Sequence, residues 1–488
     1  NTSVRGRIDA TPSVRFTISD KVFVSDSFVR LNSNPDALGF PPAGVVDAEP
    51  GLNFVPDSND ADNFQRSDFL AGQINAVYAL NSRIILSANY HGLNTKRENE
   101  NGGLGPGFQP FGGTQFSFFE GQIHSINSKV DWSSNRFGRL IAGYEYELEK
   151  YSNNGVGPTP SGDFFARVDQ SSNTFYTQYL SSLMSKRLQI AGGVRAQAFF
   201  LSSPRFSVDN APYSGLDPIS PPSSVTVDGA ASYYIAETST KLRAHVGNGY
   251  RVPSLYERFG SFYSSFSQSF TALGDPDLEP EKTIAFDAGI DQDLAGGRVN
   301  LSATYFYTQL TDTIGYGNVV PSIGTTARPF GGYENTKGGI ARGTEFSANV
   351  RPFDAMNLYA SYTFTNSDQR QSQVTGSGIL KTLGVPSHQF TFLATQRIAK
   401  RLSLNFDFEA SSSYLAPIFS NTTFSTYVYR FTGNRKGDLT ASYDLPIFGE
   451  TTRASLFISV ENLFGHSYFE NGFATNGRTA RAGFTFRF

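Results

Sequence analysis

The stretch Arg401-Leu402-Ser403-Leu404-Asn405-Phe406-Asp407-Phe408-Glu409-Ala410-Ser411 decides the fold. One face carries Leu402, Leu404, Phe406, Phe408 and Ala410; the other carries Ser403, Asn405, Asp407, Glu409 and Ser411. Period two is the mark of a β-strand with one apolar and one polar side. The pattern recurs outward from here. Val299, Leu301, Ala303, Tyr305 and Tyr307 oppose Asn300, Ser302, Thr304 and Thr308. Leu188, Ile190, Val194, Ala196 and Ala198 oppose Gln189, Arg195 and Gln197. At the end of the chain Ala480, Ala482, Phe484, Phe486 and Phe488 oppose Thr479, Arg481, Thr485 and Arg487. These runs are roughly 11–15 residues, against ~5–6 for an ordinary strand and ~9–11 for a tilted membrane strand. Many long strands with one apolar face match a lipid-facing closed sheet, in which every backbone group finds a partner.

The connections support this. Short turns, as at residues 80–83, 134–137, 184–187 and 237–240, alternate with long Gly-, Pro-, Asn- and Ser-rich segments, as at 34–65, 96–120, 152–170 and 252–281. Membrane barrels have short periplasmic turns and long outer loops. The fold class is therefore all-β: one transmembrane antiparallel β-barrel over residues 1–488, with about 19 strands. The first strand falls near residues 3–10 and the second near 15–31, where the alternation shifts at 19–21. Walked back from a periplasmic C-terminus, the odd count starts the first strand on the outer side. A barrel entered from the periplasm does not begin there, so either the sheet lacks an odd number of N-terminal strands or the count is off by one.

Composition narrows the function. The 488 residues carry a formal net charge of -3 and 39% hydrophobic residues, with 44 Phe, 24 Tyr and no Cys. Zero Cys excludes a disulfide framework, thiolate metal site or cysteine nucleophile. Near-neutral charge offers no footprint for nucleic acid. No run of 18 apolar residues is present, so no transmembrane helix is expected; the chain does not open on a charged-then-apolar leader, so any signal peptide is expected to have been removed or to lie upstream. His91, His124, His245, His388 and His466 lack metal or protease spacing, and no Gly-x-Ser-x-Gly elbow occurs. No enzyme, cofactor or metal centre is expected. Gly103-Leu-Gly-Pro-Gly107 is a loop, not a phosphate cradle. Asp57-Ser-Asn-Asp-Ala-Asp-Asn63 concentrates oxygen ligands that would suit calcium, but it fits no EF-hand spacing and reads better as a solvated loop.

Three motifs go beyond a generic barrel. They are Gly249-Tyr-Arg-Val-Pro-Ser-Leu-Tyr-Glu-Arg258, then Gly274-Asp-Pro-Asp-Leu-Glu-Pro-Glu281, then Val460-Glu-Asn-Leu-Phe-Gly-His-Ser-Tyr468 with Asn476-Gly-Arg478 and a final strand ending at Phe488. In this order they resemble the C-terminal barrel of TonB-dependent outer-membrane receptors, with Asp275 where that family usually has Asn. On that resemblance Arg251, Pro253, Glu257, Pro276, Leu278, Pro280, Glu281, Asn462, Leu463, Phe464, Gly477, Arg478 and Phe488 are the family's structural motif positions. The resemblance implies about 22 strands around an N-terminal plug, so the plug and first strands would lie outside this chain. It implies the outer membrane of a Gram-negative (diderm) bacterium and contact with its lipid. It also implies active uptake of a scarce ligand, first a ferric siderophore and then cobalamin, driven by the TonB complex through the plug. The rival readings are a passive substrate-selective porin and a structural or adhesin barrel.

The segment 254–272 is the candidate ligand surface. It holds Tyr256, Phe259, Phe262, Tyr263, Phe266 and Phe270, and the next loop adds Arg328, Phe330 and Tyr333. Aromatic and cationic groups together suit a planar, anionic, partly apolar ligand such as a ferric chelate. An aromatic girdle at the membrane interface is the plainer reading. Arg195, Arg243, Arg481 and Arg487 are expected to line the lumen, paired with acids such as Asp287, Asp407 and Glu409.

Overall fold

The computed structural model of the chain describes residues 2–9, 16–38, 44–105, 115–156, 165–207, 211–264, 269–323, 326–374, 376–445 and 453–487. Its main sheet has 21 strands: nineteen long ones and two short extensions, Arg205–Phe206 and Gly332–Thr336. The long strands are β1 Thr2–Asp9, β2 Phe16–Asn32, β3 Asn59–Ala79, β4 Ile84–Asn101, β5 Gln115–Ser134, β6 Gly138–Val156, β7 Ala166–Leu183, β8 Leu188–Leu201, β9 Ser224–Ile235 and β10 Thr240–Arg251. They continue with β11 Glu281–Leu294, β12 Val299–Gly317, β13 Gly339–Val350, β14 Met356–Gln369, β15 His388–Ile398, β16 Leu402–Ser411, β17 Arg435–Leu445, β18 Arg453–Glu461 and β19 Thr479–Arg487. Each pairs antiparallel with the next in sequence. The expected strand number and the alternation of short and long connections are both present.

Strand length differs around the wall. β2 to β7 have 17, 21, 18, 20, 19 and 18 residues, whereas β15 to β19 have 11, 10, 11, 9 and 9. A tilted span needs ~9–11. The later strands merely cross the bilayer, and the earlier ones rise well beyond it. Among the described residues β1 pairs only with β2 and β19 only with β18. The loops nevertheless bring the two ends of the sheet together. Val45–Asp47 joins Ser425–Phe431 as a parallel strand, Tyr429 Oη donates to Asn53 O at 2.8 Å, and Ala474 N donates to Asp57 Oδ1 at 2.6 Å. The sheet therefore curls round on itself.

Apolar side chains of the strands point outward and stay exposed: Phe484 is 74% exposed, Ile458 61% and Val225 61%. A water-soluble sheet would bury this face; here lipid covers it. The lumen face is polar and cross-linked. Arg243 on β10 reaches the Asp291 carboxylate of β11 at 3.3 Å and Thr304 Oγ1 of β12 at 2.5 Å. It also lies 3.9 Å from Asp287. Arg195 pairs with Glu145 at 3.4 Å and Arg481 with Glu461 at 2.9 Å. Asp407 and Glu409 are exposed and have no cation partner among the described residues. Buried apolar residues gather at the long-loop end. One cluster holds Ala37, Phe54, Ala416, Ile418, Tyr429 and Phe431; another holds Val168, Tyr213, Leu255, Phe259, Ala272 and Ile323.

In the oxygen-rich segment, Asp57 accepts from Asn32 and Ala474, and Asp62 from Leu104 N. No group of three metal-ligating acids, histidines or cysteines occurs among the described residues.

Candidate functional site

The site is built on the connection between β10 and β11. Pro253 blocks further ladder pairing, and Ser254 then caps the one-turn helix α1, Leu255–Phe259. Glu257 N donates to Ser254 Oγ at 3.2 Å and Ser254 N to Glu257 Oε2 at 2.7 Å, a reciprocal capping box. Arg251 and Glu281 are cross-strand partners at the ends of β10 and β11. The Arg251 guanidinium grips Glu257 with two bonds, 2.9 and 3.0 Å, and Glu281 with a third, 2.5 Å. Glu281 also accepts Ile314 N at 2.8 Å. A planar fork satisfies two carboxylates at once, so Arg251, Glu257 and Glu281 lock α1 to three strands. Burial tends to raise the Glu257 carboxyl, but the Arg251 bonds and the Ser254 N–H outweigh it and hold the group below its usual range.

The second motif forms the floor under α1. Pro276, Leu278 and Pro280 are buried, and Asp277 and Glu279 face solvent. Asp275 lies 3.5 Å from the Arg328 guanidinium. A Cβ on Gly274 would come within 2.5 Å of the Arg258 carbonyl carbon, so only glycine fits. Arg258 is 2% exposed and donates to Pro276 O and Ile219 O. Burial lowers it to about 10.

The expected ligand surface separates into two populations. Phe259 is wholly buried beneath α1, and Arg328, 5% exposed, directs its donors at Pro321 O and Tyr333 O. Both belong to the scaffold of the loop cluster. Tyr256 stands in a ring of aromatics, with centroids 5.8 Å from Phe119, 6.3 Å from Tyr151 and 6.0 Å from Tyr333; Tyr333 meets Tyr316 at 5.4 Å. Desolvation pushes the Tyr256 hydroxyl up to about 12. Phe262 and Phe330 form a separate pair at 5.3 Å. Tyr263 lies on the short strand Ser261–Ser264. Phe266 and Phe488 lie outside the described residues. Sequence reasoning missed Phe119, Tyr151, Tyr316 and Arg97, an exposed cation whose charge reaches Tyr256. They stand on distant strands, and only the curled sheet brings them together.

The third motif closes the last loop. Asn462, 1% exposed and at φ 49°, donates to His466 O at 2.9 Å and Asn476 O at 3.3 Å, and accepts His466 N at 3.0 Å. Leu463 N donates to Gly437 O at 2.6 Å. Phe464 folds back over Gly437, where a Cβ would run into its ring, and packs on Phe408 at 6.0 Å. Arg478 reaches the turn at Gly465; Gly477 has open space around it.

A model of the TonB dependent receptor-like β-barrel family matches residues 14–463. The chain belongs to this family. Its apolar outer face agrees with the family's location in the Gram-negative outer membrane. The chain superposes with a TM-score of 0.71 on the ferripyoverdine receptor of Pseudomonas aeruginosa, at 14% identity, covering 99% of this chain and 63% of that one. The ferric preacinetobactin receptor of Acinetobacter baumannii gives 0.67 at 14% identity, covering 97% of this chain and 70% of that one. An iron-regulated outer membrane virulence protein of Vibrio cholerae is 25% identical over 247 residues, 49% of this chain. The matched stretch spans 35% of that protein's length.

Proposed function

We propose that the chain is the barrel of an outer-membrane receptor that takes up a ferric siderophore under TonB drive. The family match over nearly the whole barrel carries the reading, and the siderophore receptors among its structural neighbours agree with it. On this reading the outer loops, roofed by α1 and the aromatic ring around Tyr256, capture the ferric chelate. Tyr256, Phe262, Phe330 and Tyr333 present its aromatic surface, and Arg258 and Arg328 hold the loops in shape. A plug and further strands complete the barrel between β1 and β19, and TonB acts on the plug to open the lumen. The polar inner wall offers the released chelate hydrogen bonds rather than a sticky apolar path. The barrel itself performs no chemistry on the ligand, in line with a family of transport receptors.

The test is uptake of iron-55 from ferric chelates by iron-starved diderm cells carrying or lacking the full-length receptor. Uptake that needs both the receptor and TonB supports the reading. Receptor-dependent uptake indifferent to TonB would show a passive pore, and unchanged uptake on deletion would show a structural or adhesive barrel. Labelled cobalamin in the same cells tests the second ligand class.

A further inference from the structure

The upper hairpin made by the top of β12 and Gly332–Thr336 has two faces. Tyr316 and Tyr333 point to the aromatic ring around Tyr256. The opposite face, with Thr313, Gly315, Gly317, Glu334 and Thr336, lines a cavity of about 750 Å³ closed by residues 369–374 and 376–384 and the hairpin Tyr414–Ser420/Ser425–Phe431. Its polar walls combine amides and carboxylates, among them Asn318, Gln369, Gln371, Gln373, Glu281 and Glu334, with hydroxyls such as those of Ser372 and Thr426. Among the described residues no Lys or Arg lines it; Lys337 and Arg370, neighbours of lining residues in the chain, do not. The Glu281 charge is answered by Arg251 and Ile314 N–H. Half-buried Glu334 has no ion-pair partner among the described residues, and its carboxylate overlies Gly317, within 2.5 Å of where a Cβ would sit. A second, smaller cavity of about 220 Å³ on the inner wall repeats this chemistry. It is lined by Glu147, Glu149, Gln170 and Gln197, and its one cation is Arg251, held by Glu257 and Glu281.

A ferric ion held by three catecholates carries three negative charges; held by three hydroxamates it carries none. An uncompensated carboxylate repels the first and tolerates the second. Glutamine and asparagine amides, which donate and accept, match the amide groups of a hydroxamate chelate. We propose that this cavity selects an uncharged, amide-rich ferric chelate of the tris(hydroxamate) type over anionic chelates. The inference rests on the proposed uptake function and names its substrate class.

The experiment measures binding of iron-55 ferrichrome, an uncharged tris(hydroxamate), and of ferric enterobactin, a trianionic tris(catecholate), to the purified full-length receptor. TonB-driven uptake of both chelates is measured in parallel. Ferrichrome should bind at least about tenfold more tightly, the factor expected from three charges repelled by one across roughly 8 Å of watery medium. Glu334→Gln should shrink that ratio and Glu334→Lys should abolish or reverse it, with heat-modifiable mobility confirming that both variants fold. Tighter binding of the trianion, sensitive to Arg97→Gln but not to Glu334→Lys, would place recognition on the aromatic side and overturn the inference. So would an unchanged ratio in both Glu334 variants. In either case TonB-driven uptake would leave the proposed function standing. Absence of such uptake for every ferric chelate would remove both.

Discussion

Replacing Arg251 by alanine should loosen the β10–β11 connection without loosening the barrel. The guanidinium makes three charge-assisted bonds, two to Glu257 and one to Glu281. Side-chain exposures are 46% for Arg251, 16% for Glu257 and 22% for Glu281. Removing one partner of a fully buried pair costs ~3–5 kcal/mol, because the other charge is left uncompensated. Arg251 is nearly half exposed, so solvent screening reduces this to about 2 kcal/mol. That sum includes the two carboxylates left facing each other. It corresponds to about a 30-fold rise in the local opening equilibrium. The assay is hydrogen exchange by mass spectrometry on the full-length receptor in detergent. Amides of residues 252–264 should exchange about 30-fold faster, and those of β15 to β19 should be unchanged. Arg251→Lys should restore less than half of the protection, since a point charge cannot span both carboxylates. Protection of 252–264 within about threefold of the parent, or equal loosening of all strands, would refute the clamp.

Other consequences follow from the same geometry. Asn462→Ala removes three side-chain bonds from a buried site and should cost about 2–4 kcal/mol, read as a lower urea midpoint for the receptor in micelles. Ile458 lies mid-strand on the exposed outer face of β18, so Ile458→Arg should cost about 2–4 kcal/mol in lipid and less in a short-chain detergent; equal loss in both would place this face elsewhere. Because Glu257 is held below its ordinary value of 4.5, its contribution is fully present above that value and is lost as pH falls through the depressed one. Exchange protection of α1 should therefore persist at pH 5 and fall at lower pH, and Glu257→Gln should flatten that profile.

The loop cluster shows how local chemistry and long-range geometry divide the work. The capping box is contained within Ser254–Glu257, so four consecutive residues specify α1 wherever the chain places it. The clamp is different. Arg251 and Glu281 are 30 positions apart, and they meet because the β10–β11 register sets them opposite each other. The four carboxylates of the second motif divide for the same reason. Asp277 and Glu279 are exposed, but Asp275 and Glu281 are drawn to arginines that arrive from other segments.

The wall of the barrel is written in the order of its residues. Period-two alternation, strand number and the alternation of loop lengths are properties of neighbouring residues, and each strand face repeats them independently. The motifs likewise identified the family without any coordinates. Which loop residues reach one another emerges only when the chain is folded. Phe259 and Arg328 look like ligand-facing groups in the sequence and are buried, because apolar and charged side chains alike are consumed when long loops pack together over a lumen. Phe119, Tyr151 and Tyr316 carry no local signal, yet the curl of the sheet gathers them around Tyr256. The same curl sets Glu334 in a cavity that no cation lines among the described residues. Strand pairing is a nearest-neighbour affair that the sequence records residue by residue. The site is assembled across strands hundreds of residues apart, and its charge and shape exist only once the sheet has turned on itself.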